Sequence, residues 1–107
     1  MTLAVARVLS VLLDDVSQTR YGYDLMRETG YPSGTLYPIL ARLQRAGWLL
    51  KTTEQVEPSQ AGRPARSMYM LTGDGIEAAR HELAVLSHDI SFSRQSSLRL
   101  RPEGGGA

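Results

Sequence analysis

The hydrophobic period of this chain changes twice, and each change falls at a glycine. Up to Gly47 the apolar residues recur three and four positions apart, as on one face of a helix. From Trp48 to Leu71 they come in short runs rich in aromatic or β-branched residues, the composition of strands. From Gly75 the helical spacing returns. A chain patterned this way can be neither an all-helical bundle nor a sandwich of sheets, and it must fold as helices around a small hairpin.

Val5, Val8, Leu9, Leu12, Leu13 and Val16 form one stripe and predict a first helix over Leu3–Asp15. After a polar break at Ser17–Thr19, Tyr21–Thr29 reads as a short second helix with Leu25 and Met26 inward, stopped by Gly30 with Pro32 beyond it. Leu36, Ile39, Leu40 and Leu43 define a third helix over Gly34–Ala46, with Ser33 as the expected N-cap and Gly47 as its stop. Trp48–Thr53 and Ser67–Leu71 are expected strands, joined by the Pro-, Gly- and Ser-containing loop Glu54–Arg66. Ile76, Ala79, Leu83, Leu86 and Ile90 then alternate by three and four residues as a heptad seam, which predicts a last helix from Gly75 to about Gln95. The segments group into a compact unit at 1–73, a helix at 74–95 and a frayed tail at 96–107. The fold class expected is mainly α with a β-hairpin wing, in the order α-α-α-β-β-α of a winged helix-turn-helix.

The length of 107 residues suits one domain, and 42% hydrophobic with 21% charged residues suits a globular one. The absence of cysteine removes disulfides, thiolate metal sites and cysteine nucleophiles. The first residues, Met1-Thr-Leu-Ala-Val-Ala-Arg, lack a basic stretch before their apolar positions, and no apolar run approaches the roughly 20 residues of a membrane span. A cytoplasmic protein without membrane attachment is expected. The net charge of +1 conceals an asymmetry: Thr29–Thr53 holds no acidic residue but carries Arg42, Arg45 and Lys51, and Arg63 and Arg66 follow. Eleven of the twelve basic residues are Arg, whose planar fork suits phosphates and base edges.

Enzymatic chemistry finds no support in the spacing. Ser87, His88 and Asp89 are consecutive, and consecutive helix residues splay about 100° apart, so they cannot converge as a triad. His81 lies four residues after Glu77, which offers a metal two ligands and no third. No catalytic residue, metal or cofactor is expected.

Four local patterns resemble the PadR-type family of winged-helix transcriptional regulators. Gly22-Tyr23-Asp24-Leu25 is similar to the start of that family's second helix, and Gly34-Thr35-Leu36-Tyr37-Pro38-Ile39-Leu40-Ala41-Arg42-Leu43 to its third. Gly47-Trp48-Leu49 is similar to the family's turn into the wing. Gly62-Arg63-Pro64, with Tyr69-Met70-Leu71-Thr72 and Gly75, resembles its wing tip, returning strand and last helix. The resemblance covers about Val8–Leu86. The chain departs from it in the order Pro32-Ser33, and in having room for only one helix after the wing.

The resemblance implies double-stranded DNA as partner, with the third helix in the major groove and the wing on the adjacent minor groove. The small polar first turn, Ser33, Gly34 and Thr35, lets the backbone approach a phosphate, and Tyr37 and Arg42 lie on the face opposite the buried leucines. Arg63 and Arg66 would place guanidinium groups beside the duplex. Pro38 stands where a helix ordinarily donates a hydrogen bond, a cost of about 3 kcal/mol in a helix interior. The last helix either folds back on the first or pairs with a second chain; a palindromic operator requires a homodimer, which points to Ile76, Ala79, Leu83, Leu86 and Ile90 as the interface. Related proteins respond to phenolic or planar aromatic compounds, so a repressor released by a small aromatic effector is the reading implied. A winged helix used only for protein–protein assembly is the alternative. DNA binding requires Arg42, Arg63 and Arg66 on one surface, whereas assembly would favour exposed aliphatic side chains there.

Overall fold

The computed structural model describes residues 2–100 apart from 56, 58, 59 and 61, with side chains through Ile90. Among the described residues the order is α1 (Leu3–Asp14), β1 (Arg20–Tyr21), α2 (Gly22–Thr29), α3 (Ser33–Arg45), β2 (Leu49–Thr53), β3 (Ser67–Leu71) and α4 (Gly73–Leu100). Each helix begins and ends for a local reason. Thr2 caps α1 by accepting the Val5 N–H at 3.2 Å. Asp24, in the first turn of α2, accepts the Tyr21 N–H at 3.2 Å. Gly30 closes α2 in the left-handed conformation, φ 78°, and donates its N–H to the Met26 carbonyl at 2.9 Å.

The sheet has the order β1-β3-β2 and is antiparallel throughout. Leu49 faces Leu71 and Thr53 faces Ser67 across the hairpin, and on the other edge of β3 Arg20 faces Tyr69. The core is one cluster. Val8, Leu9 and Leu12 of α1 meet Leu25 of α2, the four apolar residues of α3, and Leu49, Tyr69 and Leu71 of the sheet. Burying side chains of this size is worth about 1.5–3 kcal/mol each, so the three N-terminal helices and the hairpin hold together as one unit.

The structure corrects the expected elements at four places. The strand β1 was not foreseen, because two residues are too few to carry a period of two. Pro32, not Ser33, is the N-cap of α3, and Ser33 becomes its first residue; an extended φ of −71° and ψ of 165° is natural to proline, which blocks the helix from starting earlier. The last helix starts at Gly73 because Thr72 Oγ1 accepts the Gly75 N–H at 2.9 Å, as a capping residue does. It also continues through Ser96–Leu100, residues assigned to the tail, since nothing breaks the helix before Pro102. The rest of the expected tail, 101–107, lies outside the described residues.

Ala79 is fully buried in the core of its own protomer, and Ile76 and Leu83 pack partly against the same cluster. The first half of the seam therefore folds back on α1, because a methyl at position 79 allows the two helices close approach. Leu86 is half-buried, whereas Ile90 is 46% exposed. Of the five seam residues, Ala79 has no surface left to offer a second chain.

Candidate nucleic-acid interface

The N-terminal half of α3 turns Leu36, Ile39 and Leu40 into the core and leaves Ser33, Gly34, Thr35 and Pro38 exposed. Tyr37, 40% exposed, stands at the edge of this surface, where its hydroxyl occupies the place a Cβ on Gly22 would take. Glycine at position 22 thus lets the Tyr37 ring lie against the start of α2; a side chain there would displace that hydroxyl.

Between Tyr37 and the wing lies a polar cleft of about 410 Å³, lined among others by Tyr21, Tyr23, Lys51, Arg66 and Ser67. The rings of Tyr21 and Tyr23 stack at 5.6 Å and 12°. The Arg66 guanidinium carbon lies 5.8 Å from one ring centre and 5.1 Å from the other, which holds that cation against the cleft without consuming its charge. Lys51 is exposed on β2, opposite buried Tyr69, whose phenol burial pushes upward from its usual pKa.

Glu54, which follows β2, lies beside Arg66 and is already spoken for. Its carboxylate accepts from the Arg63 guanidinium, from the Arg66 N–H at 3.1 Å and from the Tyr21 hydroxyl at 3.2 Å. The Arg63 hydrogen bond is the main cause that lowers its pKa from 4.5 to about 2, against the opposing effect of burial. The Arg63 guanidinium is correspondingly pushed up, first by the same bond. The local charge left over is positive: Lys51 and Arg66.

Not all the expected contacts come together. Ser33, Gly34, Thr35 and Tyr37 share the exposed start of α3, and Arg66 faces it from the wing. Arg63 is 33% exposed and is spent on Glu54, with a further bond to the Pro64 carbonyl at 3.3 Å, so it is not the free cation the loop composition suggested. Arg42 is exposed; at 3.6 residues per turn it stands about 20° from Thr35 and about 40° from Pro38, and about 140° from Tyr37. It lines a second cleft, of about 370 Å³ and mostly apolar, with Val5, Ile39, Trp48 and Glu82. Of the three arginines expected on one surface, Arg66 borders the cleft beside Tyr37 together with Lys51, Arg63 is paired with Glu54, and Arg42 lines the cleft beside Trp48. Tyr21, Tyr23, Lys51 and Glu54 were missed as site residues; the sequence signal for Lys51 was its place within the acid-free stretch, and for the two tyrosines only their spacing around Gly22.

Among the described residues no three side chains of metal-binding type come together, and no helix is long and apolar enough to cross a membrane.

Three helices and a three-stranded sheet, with a hairpin standing beside the exposed start of the third helix, define a winged helix-turn-helix protein. The chain belongs to the transcriptional regulator PadR-like family, whose sequence profile matches residues 8–81. A PadR-like transcription factor from Bacteroides fragilis has a similar structure, with 25% identity, a TM-score of 0.64, and coverage of 85% of this chain and 86% of that one. The smu.1704 protein of Streptococcus mutans is 28% identical, with a TM-score of 0.58 over 86% of this chain and 79% of that one. BpsR of Bordetella bronchiseptica, whose DNA binding is described as regulated by 6-hydroxynicotinic acid, shares the fold at 22% identity and a TM-score of 0.67, over 87% of this chain and 64% of its own. No curated protein sequence matches the chain.

Proposed function

We propose that this regulator is a homodimeric repressor that places α3 in the major groove and the hairpin β2–β3 on the flanking backbone, and that a small aromatic effector releases it. One observation carries the DNA-binding part. The exposed start of α3 adjoins a cleft whose free charges are Lys51 and Arg66, while the adjacent carboxylate of Glu54 is already matched by Arg63. Such a surface suits a phosphate backbone, and the exposed residues there, Ser33, Thr35, Tyr37 and Pro38, are not the aliphatic set an assembly module would present. Ser33, Gly34, Thr35, Tyr37 and Arg66 are the residues assigned to DNA, joined by Lys51.

The dimer part rests on α4, whose later turns carry Leu86 and exposed Ile90 beyond the reach of the core cluster. A two-fold pair of winged helices would protect two half-sites about 34 Å apart. The effector part rests on the apolar cleft beside Trp48, which touches α1, α3 and α4 at once and so stands where a ligand would sense all three. Gel-shift and footprinting with the DNA upstream of the protein's own gene test the proposal. Two protected half-sites support it. Failure to retain that DNA at low salt, with a dimer present, favours assembly with another protein.

A further inference from the structure

Pro38 is the sixth residue of α3 and lies inside the helix. A proline has no N–H, so the carbonyl four residues earlier, that of Gly34, loses its helical partner, and the ring crowds that carbonyl away from the axis. Among the described residues, side-chain donors that reach backbone carbonyls end on Leu25, Thr29, Gly47 and Pro64, not on Gly34. Gly34 itself is exposed, so its main chain lies at the surface of the helix. The chain thus presents an acceptor on the very face of α3 that the DNA-binding reading directs at the groove.

An acceptor there is discriminating. Phosphate oxygens only accept, so the Gly34 carbonyl gains nothing from the DNA backbone and is repelled by it. In the major groove the base-edge donors are the amino groups of adenine N6 and cytosine N4. We propose that the Gly34 carbonyl, released by Pro38, accepts a hydrogen bond from the exocyclic amine of one adenine or cytosine in each half-site, making Pro38 and Gly34 specificity determinants that act through the main chain. The inference rests on the DNA-binding reading above and deepens it.

Pro38→Ala tests it, because alanine restores the N–H and ties the carbonyl back into the helix. The probes are a duplex from upstream of the protein's own gene and a random-sequence duplex of equal length. Expected is a variant that melts at a higher temperature yet binds the upstream duplex about tenfold more weakly, with unchanged affinity for the random one; tenfold corresponds to one hydrogen bond of ordinary strength. Replacing adenines by purine, and cytosines by 2-pyrimidinone, one position at a time, deletes the amines singly. One such position should weaken the wild type and leave Pro38→Ala unaffected. Gly34→Ala, which keeps the carbonyl and has room for its methyl, should keep the discrimination. Undiminished discrimination in Pro38→Ala, or equal losses on both duplexes, overturns the inference while leaving DNA binding intact. A wild-type protein that binds neither duplex removes the underlying reading instead.

Discussion

Arg63 is bound to Glu54, so the arginine nearest the wing tip acts as the counterion of a carboxylate. Removing it uncovers a negative charge beside Lys51 and Arg66. Arg63→Ala should therefore weaken binding to every DNA sequence, and the double variant Glu54→Gln, Arg63→Ala should recover most of the loss. Glu54→Gln alone frees the arginine and should steepen the dependence of affinity on salt by up to about one unit of slope. Fluorescence anisotropy against salt, for the four proteins, reads the effect; an equal loss in the single and double variants would show that the pair plays no part.

The same carboxylate sets a pH signature. Its pKa falls from 4.5 to about 2 on folding, so it stabilises the folded state above its ordinary value, and that contribution disappears as pH falls from 4.5 towards 2. Thermal melting of wild type and Glu54→Gln should differ most above pH 5 and converge near pH 2. A gap that stays constant across that range rules out ionisation as its source.

The last helix should divide into two parts by mutation. Ala79→Leu, which forces volume into a filled core, should cost about 1–3 kcal/mol in denaturant unfolding whatever the protein concentration. Leu86→Asp combined with Ile90→Asp should leave the far-ultraviolet circular dichroism of the N-terminal unit in place and convert a dimer to a monomer in sedimentation. A dimeric double variant would move the interface elsewhere.

Trp48 is the sole tryptophan and lines the apolar cleft, so its emission reports occupancy directly. Small aromatic carboxylates should change that emission saturably, and Arg42→Ala should weaken the response without altering affinity for random-sequence DNA. Loss of DNA affinity with an unchanged fluorescence titration would return Arg42 to the DNA surface.

Much of this molecule is legible in its sequence, and the boundary of legibility is physical. The helices announce themselves because their stripes are long: α1, α2 and α3 fall within a residue of their expected limits. The hairpin strand Ser67–Leu71 is where its composition puts it. What is not legible depends on partners distant in sequence. Nothing local to Arg20–Tyr21 requires a strand; β3 recruits it from the far side of two helices and β2. Nothing near Arg63 reveals Glu54 as its mate, since their meeting depends on the hairpin register that bonds the Glu54 N–H to the Arg66 carbonyl at 2.9 Å. Arg42 illustrates a third case: the wheel gives its angle, but only packing shows that α1 and α4 supply the other walls of the cleft it lines.

The contact between Gly75 and Trp48 carries its own implication. A Cβ on Gly75 would overlap the Trp48 carbonyl, and beside it Thr72 donates its N–H to that carbonyl at 3.0 Å and its hydroxyl to the Gly47 carbonyl at 2.7 Å. The end of α3, the root of the hairpin and the start of α4 are thereby knotted into one small joint. In the proposed dimer, a tilt of α4 against the sister chain would not be absorbed there and would swing helix and hairpin together as a single jaw, altering the span between the two jaws and not the shape of either.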